Sequence, residues 1–137
     1  MKLIGLLAAA GVAAATPAAK PVKLMLKAGQ ALAFAASVVE GKVVLGAARL
    51  GKFGELQPGE GEIVVGLSPK DKTLYENVVV VEKTAAPIDF LATGLIGEIK
   101  IDERDIHGRL DAPVTQRIGA TSWTVWLNGF EPGAAGK

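Results

Sequence analysis

The sequence predicts an all-β chain: an antiparallel β-sandwich or small β-barrel of about seven to nine short strands, with an Ala-rich N-terminal segment. Three observations carry this reading. Short apolar runs recur at roughly 8–12-residue spacing with Gly, Pro and Asp between them. Several of the runs alternate apolar and polar residues with the two-residue period of a half-buried strand. No helical pattern lies between them, which argues against a parallel sheet built from strand–helix–strand units.

The elements follow in order. Val22–Lys27 alternates, with Val22, Leu24 and Leu26 on one face and Lys23 and Lys27 on the other. Leu32, Phe34, Ala36 and Val38 share the next period-2 face, although alanine's helix propensity leaves a helix as the alternative over 31–39. Val38-Val39-Glu40-Gly41-Lys42-Val43-Val44 reads as a tight hairpin, with Gly41 free to take the positive φ such turns demand. Gly46, Gly51, Gly54, Pro58, Gly59 and Gly61 then read as a loop-rich stretch. Ile63–Leu67 is a strand, closed by the turn cluster Ser68–Lys72. The β-branched run in Leu74–Glu82 suits a central strand covered on both faces. Ile88–Leu91 and Ile99–Asp102 are short strands, with Ile106–Leu110 as hairpin partner of the second. Thr121–Leu127 is a long strand ended by Asn128-Gly129.

Composition narrows the chemistry. The 137 residues are one domain's worth of chain, 50% hydrophobic, with no cysteine and one histidine. Disulfides, thiolate metal sites, thiol nucleophiles and multi-imidazole centres are excluded on those counts. Charge is split along the chain. Residues 1–52 carry seven basic groups and one acid, whereas 53–137 carry eight basic groups and thirteen acids. Such polarity favours head-to-tail subunit contacts or an anionic partner, unless the fold mixes the two halves in space.

Lys2, the uncharged run Leu3–Ala15 and the A-x-A of Ala13-Ala14-Ala15 before Thr16-Pro17 form the pattern of a secretory signal peptide. The expected organisation is therefore 1–15 as signal peptide or N-terminal apolar segment, 16–130 as a single β-rich domain and 131–137 as a flexible tail. The apolar run is too short to cross a bilayer, so no integral membrane span is expected. Cleavage implies a secreted or periplasmic protein. Retention of the segment would instead suit a virion assembly.

Candidate sites are sparse. Gly46–Lys52 fits the G-x-x-x-x-G-K frame, but Phe53 stands where Ser or Thr should bind magnesium. Gly54, Pro58 and Gly59 also forbid the helix that should follow, so no nucleotide site is expected. Asp102, Asp105, His107 and Asp111 form the densest polar cluster. It offers carboxylates for a hard cation, or a general base oriented by an acid, but the simpler reading is a charged hairpin tip whose residues are solvated. Trp123 and Trp126 are three apart in a predicted strand and so point to opposite faces. One belongs in the core; the other can stack on a sugar ring or anchor a protein contact. Basic residues are not interleaved with aromatics, so no nucleic-acid partner is expected. No cofactor is implied.

The function these features predict is a non-enzymatic β-rich structural or interaction protein, with protein partners or a homo-oligomer, in an extracellular, cell-surface or virion assembly. The alternatives are a secreted or periplasmic module binding a glycan or small ligand through Trp123 or Trp126, and a small hydrolase using His107.

Overall fold

The computed structural model describes residues 23–69, 75–119 and 124–133. The segment read as a signal peptide and Trp123 lie outside the described residues. Among the described residues nine strands follow in chain order: β1 (Leu24–Leu26), β2 (Gln30–Val39), β3 (Lys42–Lys52), β4 (Glu62–Leu67), β5 (Tyr75–Glu82), β6 (Ile88–Ile96), β7 (Ile99–Ile106), β8 (Val114–Gly119) and β9 (Thr124–Pro132). They form two antiparallel sheets, one ordered β1-β9-β6-β7 and the other β3-β2-β4-β5-β8, and there is no helix among the described residues. The all-β expectation holds, and the arrangement is sandwich-like.

Period-2 alternation decides which side chains meet between the sheets. From the five-stranded sheet come Leu32, Phe34, Ala36, Ile63, Val65, Leu67, Val78, Val80 and Ile118. From the four-stranded sheet come Leu24, Leu26, Ile88, Phe90, Ala92, Ile106, Val125 and Leu127. Phe130 joins the layers. Its ring stacks on Phe90 at 5.0 Å between centroids and meets Phe34 edge-on at 5.6 Å.

The hairpin at Gly41 forms as expected. Glu40 and Gly41 both take positive φ, at 52° and 77°, and Val39 pairs with Lys42. Two successive left-handed residues are the requirement of a type I′ turn, whose twist matches the strands it joins.

Four expectations need correction. Gly46–Lys52 is strand, not loop: β3 runs unbroken to Lys52, with a register shift opposite Phe34–Ala36. Glycines that punctuate loops also occupy strands where neighbours approach closely. A Cβ on Gly51 would lie 2.8 Å from Leu56 Cγ, and one on Gly66 would lie 2.9 Å from Phe53 Cδ1. Through these gaps the β3–β4 connection lies flat over Ala31, Ala33 and Val64 on the outer face of the five-stranded sheet. Secondly, β7 is one strand paired with β6 through the Gly97-Glu98 turn, rather than a hairpin of its own. Thirdly, Asn128-Gly129 does not end β9. Gly129, at φ 64°, sits in a register shift between Asn128 and Glu131, and the strand continues to Pro132 inside the segment read as a tail. A left-handed glycine is as characteristic of a bulge as of a turn. Fourthly, β5 is not covered equally on both faces: Val78 and Val80 are buried, while Val79 and Val81 are only half-buried.

Candidate functional site

Two surfaces stand out: the free edge of the five-stranded sheet and the outer face of the four-stranded sheet. The free edge is β3. It pairs with β2 along one side, and among the described residues nothing pairs with the other. Nine of its eleven residues are exposed. Cross-strand partners share a face, so the register sorts its side chains. Leu45, Ala48 and Leu50 pair with core-facing Ala36, Phe34 and Leu32. They belong to the inner face, yet Leu45 and Leu50 are 38% and 56% exposed, because the four-stranded sheet does not cover them. Lys42, Val44 and Arg49 pair with Val39, Ser37 and Ala33 and point outward. Val44 is 50% exposed, and Val38 and Val39 add apolar surface at the hairpin tip.

Arg49 is anchored. Its guanidinium donates to Glu62 Oε2 at 2.6 Å and to the Gln57 carbonyl at 3.2 Å, and Gly59 N–H donates to Glu62 Oε1 at 2.8 Å. These contacts hold the Glu62 carboxyl below the usual carboxylate range, the Arg49 hydrogen bond contributing most. Lys42 and Lys52 form no ion pair among the described residues.

On the outer face of the other sheet lies an open cleft of about 240 Å³ lined by Asp89, Phe90, Leu91, Asp105, Ile106, His107, Gly129 and Glu131. The bulge at Gly129 sets Glu131 opposite Asp89. Asp89 accepts from Gly108 N–H at 2.9 Å and approaches His107 Nδ1 at 3.5 Å, the far limit of a hydrogen bond. Among the described residues no serine lines the cleft.

Behind this cleft the sequence reading missed a buried carboxyl. Glu82 ends β5, is 4% exposed, and accepts Ile88 N–H at 2.9 Å, tying one sheet to the other. Its Oε2 has no hydrogen-bond partner. Burial pushes its pKa up to about 7, against the Ile88 hydrogen bond, and the nearby Asp89 charge adds to the rise. Gly108 is the only residue type that fits beside it, because a Cβ there would run into the Ile88 carbonyl and the Glu82 carboxylate. Glu82 ends an apolar strand run and precedes Lys83, so its inward direction shows only in the pairing with Ile63.

The four polar residues singled out from sequence do not converge. Asp102 accepts from Gly119 N–H at 2.9 Å and lies 3.4 Å from Arg104 Nη2. Asp105 and His107 belong to the opposite parity of the chain and line the outer cleft. Asp111 chelates Arg109 through two contacts of 3.0 Å, which hold its carboxyl low. Among the described residues no three His, Asp or Glu groups are placed to hold a metal ion.

Trp126 lies on the outer face, half-buried, between Met25 and Thr93. The Lys23 ammonium sits 5.4 Å from its ring centroid, so one stacking face is already occupied by a cation. No described helix is long and apolar enough to cross a membrane. Comparison with protein-family models, with curated proteins and with solved structures finds no match to this chain.

Proposed function

We propose that this protein is an interaction module, a non-enzymatic subunit of a larger assembly, and that it makes contact through the open β3 edge. One observation carries the reading. Among the described residues an eleven-residue strand is hydrogen-bonded on one side only and bears Val44, Leu45 and Leu50 at 38–56% exposure. Folded proteins usually blunt such edges by shortening or covering them, because unpaired N–H and C=O groups template a further strand. Apolar surface gathered on that same edge is the mark of a contact site. The signal-like segment Leu3–Ala15 supports an assembly outside the cytoplasm.

Photo-crosslinking in the producing cells tests this. A photoreactive residue at position 44 or 50 is expected to give a discrete adduct, and one at position 105 on the opposite side of the sandwich is not. Absence of an edge adduct, or equal adducts from both positions, would overturn the reading.

A further inference from the structure

We infer that β3 pairs with β3 of a second copy of this chain, antiparallel about a two-fold axis between Ala47 and Ala48, joining the two five-stranded sheets edge to edge. This rests on the reading of β3 as the contact edge and names its occupant.

The backbone shows which groups the edge offers. Val39 and Lys42 flank a two-residue turn and so exchange both backbone hydrogen bonds, and at the other end Phe53 N–H donates to the Gly29 carbonyl at 2.9 Å. Along a strand, backbone groups alternate sides in step with the side chains. Lys42, Val44, Arg49 and Gly51, which share the outer face, therefore turn their backbone groups to β2. Val43, Leu45, Ala48, Leu50 and Lys52 share the inner face and turn theirs to the open edge.

A strand added there must set inner side chains beside inner ones. The register shift makes this selective. Gly46 and Ala47 stand together opposite the single Ala35, and the inner positions change there from odd to even numbers. A regular strand laid on the edge would have to repeat that two-against-one arrangement. A second copy brings the same extra residue and pairs one to one throughout, as a two-fold contact requires.

One register matches the faces and brings the exposed leucines together. With Leu45 opposite Leu50 of the partner, residues 43–52 of each strand overlap, and the two-fold axis repeats the leucine pair. Both leucines of each copy are then covered where the four-stranded sheet leaves them open. Val43 falls opposite Lys52, Val44 opposite Gly51 and Ala47 opposite Ala48. Arg49, held by its own Glu62, meets Gly46, which has no side chain to obstruct it. Lys42 lies just outside the overlap on the outer face, whereas the neighbouring Lys52 of the partner is on the inner face. The two ammonium groups thus point to opposite sides of the joined sheet, and the contact calls for no acidic partner.

Sedimentation velocity of the full chain between about 1 and 100 μM should show a reversible dimer. Leu50→Glu, at a position 56% exposed in the single chain, should weaken it about tenfold or more with unchanged circular dichroism. Disulfide trapping reads the register, since the chain has no cysteine of its own. Leu45→Cys/Leu50→Cys in glutathione disulfide should give a covalent dimer, because Cα atoms of a hydrogen-bonded antiparallel pair lie about 5.5 Å apart, within disulfide reach. Val44→Cys/Leu50→Cys, whose thiols face opposite sides of the sheet, should not. A monomer throughout that range overturns the inference, as does a dimer that Leu50→Glu leaves intact, or equal trapping of the two double variants. Photo-crosslinking then separates two failures. A monomer whose edge adduct contains another protein loses only the second copy as occupant. A monomer with no edge adduct loses the contact-edge reading as well.

Discussion

The two long sides of the sandwich are finished in opposite ways. On one side, β7 of the four-stranded sheet lies against β8 of the five-stranded sheet. Polar side chains fasten them: Gly119 N–H donates to Asp102, and the Gln116 amide donates to the Asp105 carbonyl at 3.4 Å. On the other side, among the described residues, β3 presents an unpaired edge, exposed leucines and two lysines outside any ion pair. Both are edge strands, and both carry apolar and charged residues. The difference is that side-chain donors and acceptors on the first side reach the backbone of the opposite sheet, whereas on the second β9 approaches β3 with no such bond among the described residues. A closed side adds stability, and an open side is available for contact.

Three tests break or sharpen that contrast, beginning with the largest effect. Gly108→Ala, in the connection from β7 to β8, drives a Cβ into the Ile88 carbonyl and the Glu82 carboxylate. A loss of roughly 3 kcal/mol or more is expected, as for other forced overpacking against backbone, read from the urea midpoint. A loss below about 1 kcal/mol would mean that this end of the sandwich yields easily.

Glu82→Gln keeps the Oε1 acceptor for Ile88 N–H and removes the titration. In the wild type the folded state holds the Glu82 proton to about pH 7, above the ordinary 4.5. The neutral form therefore favours the fold, fully below about pH 4.5. That contribution is lost as pH rises from 4.5 through 7. The stake is at most about 3 kcal/mol, from the size of the shift. Glu82→Gln should be more stable than wild type at pH 8 and nearly equal at pH 4, with the difference growing between. Parallel pH–stability curves would refute this role for the carboxyl.

The smallest effects compare the sides directly. Asp102→Ala leaves Gly119 N–H without its acceptor and should cost about 1–2 kcal/mol. Leu50→Thr on the open edge should change monomer stability by no more than about 0.5 kcal/mol, because its side chain is already largely in water. Reversal of that order by thermal unfolding would show that β3 is covered.

Much of the architecture was legible in short windows of sequence. Alternation placed Leu24 and Leu26, Leu32 and Phe34, and Val125 and Leu127 on buried faces. The parity argument for the tryptophans places Trp126 outside the core once Val125 and Leu127 are buried within it. β8 escaped because Gln116 stands at a core-facing position between Val114 and Ile118, which breaks the apolar pattern. β3 escaped because glycine signals close approach as well as a turn, and only the Leu56 and Phe53 contacts reveal which. The polar cluster around His107 suggested a shared site by sequence proximity, but strand alternation sends neighbouring residues to opposite faces.

By itself, then, the amino-acid sequence determined the strand class, the Glu40-Gly41 hairpin, the absence of thiol chemistry and the uneven distribution of charge. These depend on local periodicity, backbone freedom and composition, which act over a few residues. Tertiary structure decided the strand order, the inward turn of Glu82 and the contrast between the closed β7–β8 side and the open β3 edge. Those outcomes depend on which strands become neighbours across tens of residues. A lysine or a leucine is committed or free only relative to what the opposite sheet brings within reach.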